Sequence, residues 1–207
     1  MLRLRILHRG TVSLLRETQG AALLEFAITL PLLVVFVVGI FDFSGAFNQK
    51  QKIEQAAQQA AIVAGAQPMN DIASITSDPD SLHPVVIAVF NSLAGSGVLP
   101  SAGQSCTPPP PVPTRPTPPT PPGLAWIYTI SGCSGTTTAD NLVIAINRGW
   151  VCRAPCASGP PVAVGTMVTV SYPYHWRFNS VIQLLFPGTG YAAITSLTES
   201  ATVHNQM

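Results

Sequence analysis

The sequence contains little charge. Only 9% of its 207 residues are charged, and ten Lys and Arg nearly balance nine Asp and Glu. A protein that binds nucleic acid needs a basic face, yet Lys and Arg form no cluster beyond the N-terminal tail. The composition therefore excludes nucleic acid as a partner.

The sequence also lacks the short motifs by which many enzymes are recognised. The phosphate-binding glycine loop, the HExxH zinc motif and the GxSxG nucleophile elbow are all absent. His175 lies in an aromatic stretch, while Asp140 and Glu199 have no acidic or histidine neighbour. A packed turn residue and two solvated carboxylates are the simplest interpretation of these three residues. We therefore expect no enzymatic activity, no cofactor and no metal ion.

One long apolar run dominates the N-terminal quarter. The 21 residues from Ala21 to Phe41 carry a single charge, Glu25, and about 20 apolar residues cross a bilayer core. Arginines precede the run at positions 3, 5, 9 and 16, and basic residues are retained on the cytoplasmic side. The sequence predicts a single-pass protein of the cytoplasmic (inner) membrane, embedded in lipid, with its N-terminus in the cytoplasm and its C-terminal domain outside.

A cleaved secretory signal is the alternative interpretation of this run, with residues 44–46 (Ser-Gly-Ala) as the exit site. Two observations favour a membrane helix. The run is longer than the roughly 7–15 residues of a signal core, and the helical pattern continues through the supposed cleavage point. Pro31 in the middle of the run is tolerated in membrane helices and predicts a mild kink.

Residues 44–66 continue the helix in amphipathic form. Small and apolar residues recur there at helical spacing, namely Ala46, Ile53, Ala57, Ala60 and Ala64. Gly65 and Pro68 supply the stop signal. This small-residue face is suited to packing on the chain's own domain, on another subunit or on both.

Two segments without strand pattern follow. Residues 67–106 predict a loop and a short helix over 81–93, with Ser81 as N-cap and Pro84 in the first turn; a buried strand is the alternative for its apolar centre. Residues 107–123 form a proline-rich spacer, since ten of the fifteen residues 108–122 are proline. That composition predicts an extended polyproline II stretch that cannot join a sheet.

Residues 124–207 predict a β-rich outer domain. Strand patterns occupy residues 126–130, 142–146, 162–164 and 167–172, a helical pattern occupies 178–186, and 191–203 fits a last strand or a short amphipathic stretch. The fold class is therefore α+β, a long N-terminal transmembrane and amphipathic helix followed by a small domain with an antiparallel sheet.

The four cysteines all lie in the second half of the chain, on the predicted outer side: Cys106, Cys133, Cys152 and Cys156. An even number in an oxidising compartment predicts two disulfides. Free buried thiols are the alternative, and a zinc site is disfavoured because Cys152 and Cys156 have C-x3-C spacing rather than a C-x2-C hook. The pairing we predict is Cys106 with Cys133, which closes the proline-rich loop, and Cys152 with Cys156 around Pro155.

The start of the apolar run resembles the processing site of type IV pilins and pseudopilins, where Gly20 precedes Ala21 and Glu25 stands at the fifth position of the mature chain. More narrowly, the Glu25-Phe26 pair, the proline-bearing helix, the exit sequence GIFDF over 39–43 and the alanine-rich helix resemble the TadE-like family. Members of that family are minor pilins or pseudopilins of the tight-adherence, Flp-type pilus assembly system. The resemblance covers about residues 16–66, and the proline-rich insert departs from it.

The resemblance implies a non-enzymatic role and a pilin-like outer domain. Residues 1–20 would be a basic cytoplasmic leader, removed after Gly20 by a prepilin peptidase, and residues 21–43 the transmembrane helix. Glu25 would then pair with the new amine of Ala21 on a neighbouring subunit, or turn toward the lipid headgroups. The implied partners are the peptidase, other pilin-like subunits and the inner-membrane assembly platform. A membrane-tethered extracytoplasmic binding module is the competing function.

Overall fold

The computed structural model describes residues 14–71, 78–99, 106, 113–114, 124–133, 141–151, 164–176 and 195–206. Its elements are helix α1 (Leu14–Ala66), a 3-10 turn (Asp80–Leu82), helix α2 (His83–Gly95) and strands β1 (Ala125–Ile130), β2 (Leu142–Val151), β3 (Val164–Tyr174) and β4 (Thr195–His204). The chain divides into one unit of residues 1–43 and 177–191 and a second of residues 44–176 and 192–207. The fold is α+β, as predicted.

The part of α1 over residues 21–34 exposes apolar side chains on every side. Leu23, Leu24, Phe26, Ile28 and Leu32 are each at least 60% exposed and lie at different angles around the helix axis. A helix that is apolar all round needs an apolar surrounding. Within the described residues this is the one helix long and apolar enough to cross a membrane, and it is continuous through Pro31.

The part of α1 that belongs to the second unit is one-sided. Its buried residues are Ile53, Ala56, Ala57, Ala60, Ala61 and Ala64, and they join the hydrophobic core with the sheet and α2. Glu54, Gln58 and Gln59 lie on the exposed side. The small-residue face therefore packs on the chain's own domain, the first of the possibilities that its spacing left open.

Helix α2 confirms the predicted short helix and shows that the strand alternative is wrong. Val85, Val86, Val89 and Leu93 face the core at helical spacing. The helix ends in a Schellman motif in which Gly97, at φ +70°, donates to the carbonyl of Ala94 at 3.1 Å. A positive φ is strained for other residues, so glycine is required at this end.

The predicted N-cap of this helix is wrong. Residue Leu82 occupies the N-cap position, and no side chain caps the helix. Ser81 lies in the preceding 3-10 turn, where its amide and hydroxyl both donate to the Asp71 carboxylate. The Asp71 carboxylate therefore binds the serine that the local sequence predicted as the cap of the helix.

The four strands form one antiparallel meander in the order β1-β2-β3-β4. One face is buried, with Trp126, Tyr128 and Ile130 from β1, Leu142, Ile144 and Ile146 from β2, and Val168, Val170 and Tyr172 from β3. Of the strand predicted over 162–164, Val164 is the first residue of β3 and the other two residues lie outside the described part. The last segment is a strand that begins at Thr195. The helix predicted over 178–186 lies outside the described residues.

One residue of the proline-rich segment contradicts the prediction that the segment cannot join a sheet. Thr114 and Ile127 exchange two backbone hydrogen bonds, each 2.8 Å long, as an isolated antiparallel bridge. The prediction rested on proline's missing N–H, but Thr114 retains its own and can pair. Apart from Thr114 and its neighbour Pro113, residues 107–123 lie outside the described part.

Candidate functional site

All four residues of the predicted processing site lie on α1. Gly20, Ala21, Glu25 and Phe26 are helical and exposed. A Cβ added at Gly20 would meet nothing within 4 Å. Ala21 and Glu25 are four residues apart, which places them on one face about 6 Å apart along the axis. The structure thus presents an exposed Gly20 and places the Glu25 carboxylate about one helical turn after Ala21.

Glu25 is the only charged residue between positions 21 and 41. Around it the helix exposes Leu23, Leu24 and Phe26, each more than 60% accessible. An ionised side chain within an apolar surrounding of this kind is costly and tends to pair with an opposite charge. The position therefore favours a cationic partner close to the beginning of the apolar run.

The predicted disulfide between Cys106 and Cys133 is confirmed. Cys133 is fully buried just beyond β1, and its carbonyl accepts a hydrogen bond of 3.2 Å from the Tyr172 hydroxyl. Cys152 and Cys156 lie outside the described residues, so their pairing stays a prediction. Among the residues whose side chains the structure describes, no group of three or more His, Cys, Asp or Glu residues could hold a metal ion.

Arg148 is a residue whose importance the sequence analysis missed. It lies on β2 and is fully buried. Its guanidinium donates to the carbonyls of Gln67 at 2.7 Å and Pro68 at 3.1 Å, directly after the end of α1. A cation at this position complements the negative end of the helix dipole. Burial lowers the pKa of Arg148, and the nearby Asp71 carboxylate raises it.

A second set of polar contacts continues from Arg148. Asp71 accepts hydrogen bonds from the amide of Ser81 at 2.8 Å and from its hydroxyl at 2.9 Å. Asp78 accepts a 2.7 Å hydrogen bond from the Tyr128 hydroxyl, and its other oxygen lies 2.7 Å from His83 Nε2. Burial, followed by this hydrogen bond to Asp78, raises the pKa of Tyr128.

We call the six residues Asp71, Asp78, Ser81, His83, Tyr128 and Arg148 the junction cluster. Their polar groups bond mainly to one another and to the backbone, and they connect the end of α1, the 3-10 turn and strands β1 and β2. This arrangement holds these elements together. One signal was visible in the sequence, since Arg148 is the lone charge within the strand LVIAINRGWV.

Comparison with known protein families gives a match over part of the chain. Residues 20–61 match the family model described as TadE-like protein, which is about a fifth of the chain. The match begins at Gly20 and covers the apolar run and most of the amphipathic continuation. No match was found among curated proteins or among solved structures.

Proposed function

We propose, on the premise that this chain belongs through residues 20–61 to the TadE-like family, that it is a non-enzymatic pseudopilin or minor pilin. In this proposal it is anchored in the cytoplasmic membrane and supports assembly of an adhesive Flp-type pilus. The observation that carries the proposal is that the family match begins at Gly20, directly before the stretch of α1, residues 21–34, whose apolar side chains are exposed on all sides.

Processing would remove residues 1–20. Hydrolysis of the peptide bond between Gly20 and Ala21 consumes one water, leaves the carboxylate on Gly20 and creates a free amine on Ala21. Because α1 begins at Leu14, the bond lies within the first turns of a helix, and a peptidase needs that end to unwind. Glycine lowers the cost of unwinding, since it is among the weakest helix formers.

The new amine explains the position of Glu25. Both groups would lie near the inner edge of the membrane, where an unpaired charge costs a few kcal/mol by insertion scales. A carboxylate of one subunit that pairs with the Ala21 amine of its neighbour satisfies both charges. Removing one member leaves the other uncompensated, which is destabilising. The pair would therefore align neighbouring subunits along the membrane normal.

The N-terminal residue of the protein isolated from its native membrane tests the proposal. We expect mass spectrometry to find a mature chain that begins at Ala21. Gly20→Ala should still be cleaved, at most more slowly, whereas Gly20→Leu should block cleavage because its side chain is bulky. An intact N-terminus, or one at Phe47, in cells that make the pilus would reject processing at Gly20.

Glu25→Gln tests the charge pair separately from cleavage. The substitution removes the charge with little change in shape, so we expect normal insertion and processing but reduced piliation. Glu17→Gln is the matched control, because it is the same substitution within the segment that processing removes. Equal piliation in the two variants, with both proteins processed, would contradict the role of Glu25.

A further inference from the structure

The end of β3 lies beside the turn of α1 that follows the apolar run. A Cβ added at Gly45 would lie 2.8 Å from the hydroxyl oxygen of Tyr174 and 3.8 Å from Cζ of the same ring. One turn later, the side-chain amide of Gln49 donates to the carbonyl of Pro173 at 3.4 Å. Two consecutive residues of β3 are therefore held against this part of the helix.

Strand β3 runs antiparallel to this half of α1. Its first residues pair with the end of β4, Gly165 with His204, and the carbonyl oxygen of His204 lies 3.1 Å from a Cβ built at Gly65. The twenty residues between Gly45 and Gly65 span about 30 Å of helix. The nine residues from Gly165 to Tyr174 span about 30 Å of strand. The two lengths agree, so β3 ends at the level where α1 leaves the apolar run.

Two large side chains reach the surface at this end of the outer domain. Trp176, which is partly exposed, packs edge-on against the buried Tyr174 with the ring centroids 5.2 Å apart. Phe47, two residues after Gly45, is 62% exposed. Tryptophan and tyrosine are enriched where membrane proteins meet the lipid headgroups, because each ring is apolar and carries one polar group.

The connection to the apolar run is too short to carry this end of the domain away from a membrane that residues 21–41 cross. Gly45 follows Phe41 by four residues, which is about 6 Å in a helix and at most about 14 Å in a fully extended chain. The headgroup region of each leaflet is roughly 5–7 Å thick. Gly45, and with it the ring of Tyr174, therefore lies at the level of the headgroups or just beyond them.

We propose that the end of β3 contacts the lipid headgroups of the membrane that α1 crosses, with Trp176 and Phe47 as the side chains in contact. The proposal rests on the membrane anchoring proposed above and adds to it a contact made by the outer domain itself. Tyr174 and Gln49 attach this end of the sheet to α1, so the contact fixes the height of the domain above the lipid.

Quenching of tryptophan fluorescence by brominated lipid tests the contact, because bromine quenches only the rings that it approaches closely. The full chain is reconstituted into phosphatidylcholine–phosphatidylglycerol vesicles whose acyl chains carry bromine near the headgroup, and its fluorescence is compared with that in unbrominated vesicles. Trp176 is one of three tryptophans in the chain. We expect Trp176→Phe to remove most of the bromine-dependent quenching.

Trp126→Phe is the matched control. Trp126 is buried and pairs with Ile146, which pairs in turn with Val168. Val168 precedes Tyr174 by six residues, about 20 Å along β3. This variant should therefore keep the quenching of the parent. Equal quenching in the two variants, or none in the parent, would overturn the proposed contact.

Flotation of the chain with the vesicles after an alkaline wash reports the anchoring separately. A chain that floats while Trp176 escapes quenching would overturn the interfacial contact and leave the proposed anchoring intact. A chain that does not float would overturn both, since the contact rests on the anchor.

Two exposed apolar positions on α1 test where the contact lies. Phe47 and Ile62 are 62% and 66% exposed, and the fifteen residues between them span about 22 Å of helix. In the Trp176→Phe background, Phe47→Trp should restore the bromine-dependent quenching, whereas Ile62→Trp should not. Equal quenching at the two positions would overturn the assignment of the contact to this end of the domain.

Discussion

At the residue scale, Arg148 shows how a buried charge can serve as a cap. Removing a guanidinium from water is costly unless its donors find acceptors. Here two acceptors are the carbonyls of Gln67 and Pro68, the two residues directly after α1. The side chain from β2 therefore joins the sheet to the end of the helix through its two terminal nitrogens, while its buried Nε has no hydrogen-bond partner among the described residues.

Substitutions of Arg148 should distinguish its charge from its forked geometry. Arg148→Ala leaves the carbonyls and the nearby Asp71 without a cation, and we expect the free energy of unfolding to fall by about 3–5 kcal/mol. Arg148→Lys keeps the charge but loses the second bond, so the loss should be about 1–2 kcal/mol. Urea denaturation measures both. An equal loss of unfolding free energy in the two variants would show that the second hydrogen bond of the guanidinium does not contribute to stability.

Tyr128 should make stability depend on alkaline pH. Its pKa in the folded chain lies above the unfolded value of 10.0, so folding favours the protonated phenol. This contribution is fully present below pH 10.0 and declines as the pH rises above it, because the unfolded chain ionises first. We expect the free energy of unfolding to fall with pH in that range.

The Tyr128→Phe variant isolates the contribution of Tyr128 to this slope. Phenylalanine cannot ionise, so the decline in the free energy of unfolding above pH 10.0 should be shallower than in the parent. Tyr172→Phe, which removes another buried phenol, one that donates to the carbonyl of Cys133, serves for comparison. Parallel pH profiles for the parent and Tyr128→Phe would show that Tyr128 contributes nothing to the slope.

At the scale of elements, α1 is one helix with two kinds of surface. Residues 21–34 expose apolar side chains on all sides, whereas residues 44–66 bury alanines on one side and expose glutamines on the other. Alanine and glycine allow the helix backbone to approach the sheet closely. At Gly65 an added Cβ would lie 2.8 Å from Val203 Cγ1 and 3.1 Å from the carbonyl oxygen of His204.

Two glycines in the last turns of the two helices provide a matched pair. Gly95→Ala should raise the free energy of unfolding by about 0.5–1 kcal/mol, because nothing lies within 4 Å of the new Cβ and alanine is the better helix former. Gly65→Ala should lower it by about 1–3 kcal/mol through overpacking against β4. Thermal or urea unfolding of both variants is the measurement, and equal stability would refute the close approach at Gly65.

At the scale of the whole molecule, a helix suited to lipid is covalently continuous with a domain that has its own core. That combination serves equally well for a pilin-like subunit and for a binding module on a tether. The difference lies in whether the helix has specific contacts or acts only as an anchor.

Replacing residues 21–43 with an unrelated membrane anchor separates these functions. If the helix is a subunit contact, piliation should be lost although the protein remains in the membrane; a tethered binding module would keep its function. A reporter active only outside the cytoplasm, fused after Met207, verifies in each protein that the outer domain is exported. Normal piliation with the foreign anchor would favour the tether, and a reporter active only in the cytoplasm would overturn the predicted orientation.

The amino-acid sequence by itself determined the features that depend on neighbours along the chain. Apolar length located the helix that is long enough to cross a membrane, helical and alternating periods predicted the α+β class, and the number of cysteines indicated disulfides. The matched family segment begins at the same Gly20 that the local pattern selected. These features are readable because solvent preference and backbone period act over a few residues at a time.

Only the tertiary structure decided which distant groups meet. Arg148 lies 80 residues from the carbonyl that it binds at Pro68, Ser81 bonds to Asp71 in place of capping α2, and Thr114 pairs with Ile127 despite its proline neighbours. Local propensity favoured other roles for the last two residues. Buried donors and acceptors need hydrogen-bond partners, and those partners can come from any part of the chain. This requirement therefore leaves no periodic pattern in the sequence.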